Sequence, residues 1–534
     1  MPGGSSAGAP AGRRMPDSCW MRSSRRCPII DQFGDRLPVS TFTPGPNSGC
    51  VPLNILGENA FDPAARQFFI ADLNNLYRLQ QHVVSGSISG DFGALFSLPG
   101  GPVGFAIGAE YRKEQSDYTP DPLQRAGALK DTGLVAPLRG GFDVKEVFGE
   151  LRAPLLKDVP FARTLEVNAA LRKSDYSTVG RTTAWQVNGV WAPVADVRFR
   201  GGYSQSVRAP NINELFAPQT GIIDFVSDPC DPSNIVFGTQ FRVANCRAAL
   251  TAAGLSAARI AAFQPANDLI ATSAQSGFTG GNAGLSPETA KTWTVGVMIA
   301  PSFVPGLEIS ADWYNIRLTD AVNTPSLQAV ANLCVDQPTL DNPFCANIGR
   351  STTTGYINRF FVRPQNVAAF RTQGLDVVVN YRFDAGAAGL FNVRLVGNYL
   401  NRLDFVSTPG ADRLNDLNNA RYPAPEYSGV FDLTWTKGPF SLNYGLLYQS
   451  PLVRFSPQEV AANPTIAEPR FLSFRARWEH DVQASVAVND RFSFYVGANN
   501  LTGKEADVAS IAIPYGTIGR FYYAGARMSF GRSR

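Results

Sequence analysis

Histidine is almost missing from this chain: His82 and His480 are the only two in 534 residues. They lie far apart in sequence, so a histidine-dependent triad or a multi-histidine metal site is poorly supported. Charge is thin as well. Charged residues make up 17%, against about a quarter in ordinary soluble domains, and a net charge of +4 suggests neither a nucleic-acid groove nor a polybasic membrane patch. No stretch approaches the ~20 apolar residues of a membrane-spanning helix. A β-barrel needs none, because its backbone groups pair between strands. None of the seven cysteines has close CxxC spacing, which argues against a zinc site. No acid, base and nucleophile fall into a convincing constellation, so neither an enzyme nor a bound metal or cofactor is expected.

What is present points elsewhere. Glycine (49), phenylalanine (35) and tyrosine (17) are plentiful, a mixture suited to many strands with aromatic anchors and tight turns. From about residue 80 the dominant pattern is period-2 alternation, the mark of strands with two unlike faces. Leu165, Val167, Ala169 and Leu171 share one face, while Glu166, Asn168 and Arg172 share the other. Phe105, Ile107, Ala109 and Tyr111 alternate with Glu110 and Arg112 in the same way. Many segments run to about ten residues, the length of tilted transmembrane strands.

Connection lengths decide between a soluble sandwich and a membrane barrel. Short links at 98–102, 156–160, 192–196, 301–306, 384–389, 437–439 and 488–490 alternate with long ones at 116–141, 208–285, 320–368, 403–425, 450–470 and 503–518. On the long side only 177–180 is brief. Short turns at one end and long loops at the other characterise outer-membrane barrels. The count is about fifteen strands, the first near residue 81 and the last ending at Phe530. Both first and last run towards a short turn, and parity then assigns 325–367 to an extracellular loop. Residues 1–79 are expected to be an atypical N-terminal segment with a loop remnant, and 80–534 the barrel.

Several segments resemble the TonB-dependent outer-membrane receptors. Arg208-Ala209-Pro210 with Glu214-Leu215 is similar to that family's RAP-x-x-x-EL stretch at the outer end of a strand. Gly281-Asn282, Leu285 and Pro287-Glu288 resemble its GN-x-x-L-x-PE re-entry segment. Asp312-Trp313-Tyr314-Asn315-Ile316, Asn366 with Thr372-Gln373-Gly374-Leu375-Asp376, and Asn499-Asn500-Leu501 follow in family order. Tyr523, Gly525, Met528 and Phe530 are similar to the closing-strand signal read by the barrel assembly machinery. The resemblance implies an all-β, antiparallel transmembrane barrel, here about 15 strands of roughly twenty-two. It also implies uptake of a scarce nutrient (a ferric siderophore, cobalamin or a glycan) through a plug that yields to TonB.

No plug or TonB box is found, and residues 1–26 carry Arg13, Arg14, Arg22, Arg25 and Arg26 without the apolar core of a signal peptide. The expectation is a truncated form, inactive in energised transport, in contact with outer-membrane lipid and with TonB only if a plug is supplied. A passive porin-like channel and an outer-membrane enzyme or adhesin are the rival readings. Arg208, Glu214 and Glu288 are expected to brace the outer rim. Phe216, Phe225, Phe360 and Phe361 are the candidate ligand contacts in the 210–280 and 320–365 loops. Cys27 with Cys50, Cys230 with Cys246, and Cys334 with Cys345 are candidate loop-stapling disulfides of an oxidising compartment, leaving Cys19 over. The lumen-side Glu/Arg pairs read as solvated ion pairs, and Tyr111, Trp435 and Phe494 as girdle or lipid-facing aromatics.

Overall fold

The computed structural model describes residues 70–530 apart from 130–133, 409–413, 416, 419–423, 456–459, 462, 508–514 and 517. Fifteen consecutive antiparallel strands make the main sheet, each paired to its sequence neighbour. They are β1 (Leu76–Asp91), β2 (Gly104–Thr119), β3 (Leu138–Val159), β4 (Ala162–Tyr176) and β5 (Gly180–Val194). Next come β6 (Val197–Arg208), β7 (Glu288–Ile299), β8 (Leu307–Asn323), β9 (Gln365–Asp384) and β10 (Leu390–Val406). The last five are β11 (Tyr427–Lys437), β12 (Phe440–Gln449), β13 (Arg477–Ala487), β14 (Phe492–Asn499) and β15 (Phe521–Met528).

Strand count and parity agree with the sequence pattern. The long connections differ from the expected bounds by a few residues at nearly every end, and the first strand begins at Leu76, so it runs across the 79/80 boundary. β15 stops at Met528, and Phe530 lies beyond it, exposed. Among the described residues β1 and β15 are not paired to each other, so the barrel is open along these two edges.

Period 2 explains the two faces. Cross-strand register carries Ile107 to Gly149, Gly149 to Leu171 and Leu171 to Trp185, all on the apolar face. That face carries aromatic belts at both ends. Trp191 stacks on Phe199 and Phe383 on Phe391 near the short turns, where the Trp191 and Trp435 indoles donate to the Phe161 and Ala388 carbonyls. Tyr399 with Tyr427 and Tyr448 with Trp478 stand near the outer ends. Such belts sit where a ring can meet lipid and headgroup together. The opposite face holds ion pairs. Arg172 donates to both Glu146 oxygens at 3.1 and 2.5 Å, Ser174 donates to Glu146 at 2.5 Å, and Arg200 pairs with Asp312.

Short turns hold tight backbone. Gly306 has φ +86°, and a Cβ there would stand 2.0 Å from the Arg382 carbonyl oxygen, so the turn into β8 requires glycine. On β14 and β15 the pairs Tyr495–Gly525 and Gly497–Tyr523 face each other across the ladder, each ring covering a glycine.

Candidate functional site

The outer end of the sheet carries two linked structures, a buckle at the rim and a cap above it. Arg208 closes β6 and stands directly opposite Glu288, the first residue of β7. Its Nε and Nη2 donate to Glu288 at 2.6 Å each, and its Nη1 and Nη2 donate to Glu214 at 3.0 and 3.1 Å. Glu214 is held by α1 (Ile212–Phe216), whose Asn211 accepts from the Glu214 amide while the Glu214 carboxylate accepts from the Asn211 amide. That reciprocal capping fixes the helix start. Glu288 also accepts from the Val322 amide at 2.7 Å, which ties in the end of β8.

Asparagines complete the buckle. The Asn282 side chain donates to the Pro364 carbonyl, and Asn366 bonds to both the amide and the carbonyl of Ser286 as well as the Asp320 carbonyl. Four separated segments of sequence, 208–214, 282–288, 320–322 and 364–366, therefore meet at one place, where they clasp the two ends of the 209–287 loop. All three guanidinium nitrogens of Arg208 are engaged by carboxylates, which take up four of its five N–H donors.

Above the rim, the two longest loops fold together. Strands Thr220–Asp224 and Gln275–Thr279 from the first join Ile348–Arg350 and Ile357–Val362 from the second in one four-stranded sheet. The Gln275–Thr279 and Ile357–Val362 pairing is parallel and joins the two loops. Helices α2 (Arg242–Ala252) and α3 (Leu327–Asp336) cover a core that includes Leu250, Leu255, Phe263, Val330, Leu333 and Phe344. Cys230 is bonded to Cys246 and Cys334 to Cys345. Cys27 and Cys50 lie outside the described residues.

Two buried ion pairs cross from loop to loop: Arg242 with Asp336, and Arg350 with Asp228 at 2.6 Å. The Tyr356 hydroxyl donates to Asp268 at 2.9 Å, another link between the loops. The Ile270 and Asn74 backbones act similarly at two cap-side carboxylates. The amide of Ile270, followed by the Tyr356 hydroxyl, holds Asp268 below the usual carboxylate range. The amides of Asn74 and Leu123 do the same for Asp121.

The candidate aromatics separate sharply. Phe225 is 67% exposed. Phe360 is 1% exposed, with its ring over Gly277, and belongs to the cap core. The expectation that it contacts ligand is corrected: it is sealed beneath the loop sheet. Phe216 packs its ring on Gly140 of β3 and anchors α1, and half-buried Phe361 lies beneath the Arg363 guanidinium. Sequence reasoning missed exposed Ile223 and Phe278, on neighbouring strands of the loop sheet, the first of which ends just before Phe225, and exposed Phe237 elsewhere in the same loop. It also missed α3, although Ser326 as N-cap and apolar Leu327, Val330, Ala331 and Cys334 form a helical repeat. A cavity of about 190 Å³ adjoins Phe225, lined in part by Asp228, Asp231 and Gln328. Among the described residues no three His, Cys, Asp or Glu are grouped to hold a metal ion.

Comparison with known proteins places this architecture. A family model described as TonB dependent receptor-like, beta-barrel matches residues 40–501. The siderophore receptor PirA from Acinetobacter baumannii superposes with a TM-score of 0.53 at 16% identity, over 85% of this chain and 55% of that one. A mutant of the ferric enterobactin receptor PfeA from Pseudomonas aeruginosa gives 0.55 at 13% identity, over 89% of this chain and 56% of that one. These likenesses show a shared fold, and the chain spans just over half the length of these receptors. No curated protein matches the sequence.

Proposed function

Because the chain belongs to the TonB-dependent receptor-like β-barrel family of the outer membrane, we propose that it forms the ligand-receiving barrel and cap of a nutrient receptor. The ligand is a scarce small molecule: a ferric siderophore, cobalamin or a glycan. The observation that carries this reading is the cap itself, two long loops packed into one unit over a sheet with an ion-paired polar face. Its surface presents Phe225 with Ile223 and Phe278 to the outside, a place for an aromatic or apolar ligand surface. The adjoining cavity of about 190 Å³ is below the ~300 Å³ at which ligand pockets begin, so the ligand is held on this surface rather than enclosed by it.

TonB enters this reading only where a plug accompanies the barrel, and the barrel assembly machinery and membrane lipid are its other partners. The open β1 and β15 edges would be costly in hydrocarbon, so the sheet on its own is proposed not to perform energised uptake. The test is expression of the chain behind an export leader in a strain lacking its own receptors. The expected result is surface binding of one ligand from a panel of labelled ferric siderophores and cobalamin, reduced by Phe225→Ala, without TonB-dependent accumulation. Absence of binding across the panel would overturn the receptor reading. TonB-dependent accumulation would overturn the inactivity, and steady ion conductance in planar bilayers would favour a porin instead.

A further inference from the structure

The apolar face of β2 to β5 changes character within one step on each strand. On β4, Ala169 and Leu171 give way to Lys173; on β3, Val147 gives way to Lys145; on β2, Tyr111 gives way to Lys113; on β5, Thr183 gives way to Arg181. Register sets these cations side by side. Tyr111 is opposite Lys145, Lys145 opposite Asp175, Lys173 opposite Val147, and Asp175 opposite Arg181. Each cation is thus the diagonal neighbour of the next, about 7–8 Å away.

Two carboxylates share this stretch of the face, Asp143 opposite Lys113 and Asp175. Asp175 pairs with Arg181 at 3.6 Å. Lys113, Lys145 and Lys173 are exposed, and none makes an ion pair with a described residue. Four cations (Lys113, Lys145, Lys173 and Arg181) against two carboxylates leave this stretch of the face net positive, so an anion among them would relieve the arrangement.

What lies beneath the lysines identifies the anion. A groove of about 860 Å³ opens here, with Lys145, Lys173, Asp175 and Arg181 at its rim and Val84, Gly86, Ala109, Tyr111 and Val147 in its wall; Lys113 stands just outside this lining, diagonal to Lys145. A Cβ on Gly86 would meet nothing within 4 Å, so the groove is open at that strand. At about 3.3 Å per residue and a tilt near 40°, the strand from Ala162 to Lys173 climbs about 28 Å from the short turns. That clears the ~25 Å apolar band and puts the ammonium groups at headgroup level, with the groove reaching into the acyl region.

We propose that Lys113, Lys145 and Lys173 form a binding site for a lipid of the surrounding membrane whose phosphate headgroup carries net negative charge, its phosphate among the ammonium groups and its chains in the groove below. A free phosphate would use the lysines and leave the apolar groove empty. This inference is independent of any nutrient at the cap.

The test is native mass spectrometry of the full chain in neutral detergent, titrated with phosphatidic acid or with phosphatidylcholine. Phosphatidic acid is expected to be retained about tenfold more tightly, falling about fivefold for each lysine removed through K113Q, K145Q and K173Q. The matching lysine-to-arginine variant keeps the charge and should keep the lipid, which separates a lost site from a lost fold. Equal retention of the two lipids, a triple variant that binds as before, or displacement by inorganic phosphate at lipid-equivalent concentration would each overturn the proposal.

Discussion

The sheet wall and the outer cap are held together in opposite ways. In the wall, each strand from β2 to β14 is paired along both edges, and large apolar side chains such as Ile107, Leu151 and Val295 remain exposed on one face. Stability there is spread along the ladder and depends on lipid as the solvent for that face. The cap has a small buried core, two disulfides and two buried ion pairs. Its stability is concentrated in a few contacts. The same chain therefore tolerates damage differently at its two levels: a wall substitution is judged by which face it enters, and a cap substitution by which contact it removes.

The sharpest way to break this comparison is Arg350→Ala. It leaves Asp228 buried without its cation, and removing one member of a buried pair costs about 3–5 kcal/mol. Limited proteolysis should then cut within 209–287 and 324–364, while the wall keeps its heat-modifiable migration in gels. If wall and cap fail together, they are one cooperative unit and the contrast falls. A smaller effect is expected from Val167→Arg, near mid-height on the apolar face of β4. A lipid-facing arginine at that depth costs about 2–4 kcal/mol, read as a lower urea midpoint for refolding into vesicles. Gln186→Arg, on the polar face of β5, should be close to neutral, and an equal loss there would mean the faces are misassigned.

The same contrast governs what could be read from sequence. Wall strands announce themselves because each spans lipid on one side and water on the other, which forces alternation over many residues, as in Leu165 to Leu171. Connection lengths then give parity, and parity assigned the strand-like 357–362 segment to the loops, where it pairs with Gln275–Thr279 rather than spanning. The cap was opaque for a physical reason. Its core joins residues from two distant loops, so Arg350 finds Asp228 and Arg242 finds Asp336 across about a hundred residues, and no local period records that. An aromatic in such a loop is equally consistent with core and with surface, which is how Phe360 and Phe225 looked alike in sequence although one is buried in the cap core and the other is exposed. The rim buckle is intermediate. Arg208, Glu214 and Glu288 are legible as strand-end charges, but their meeting depends on α1 and on the return of β7.

The smallest expected effect is a dependence on pH confined to the cap. Asp268 is held below the usual carboxylate range by the Ile270 amide and the Tyr356 hydroxyl. For Asp231, burial pushes the other way, but the Ser233 hydroxyl and the Ala266 and Ser233 amides outweigh it, and the net direction is also down. A lowered carboxylate binds fewer protons folded than unfolded, so its contribution is present above about pH 4 and is lost as pH falls through the folded value. Tyr356 moves in the other sense: burial, then its bond to Asp268, raises it. The folded phenol keeps its proton longer than the unfolded one, so that contribution is present up to about pH 10 and is lost as pH rises further. The cap should therefore be most protease-resistant between these limits, with lability growing at both ends. Tyr356→Phe should abolish this tyrosine's share of the alkaline loss and weaken the acid one by removing a donor to Asp268. Wall heat-modifiability should not follow the cap's profile, and a matching pH profile in the wall would show that the two regions do not hold separately.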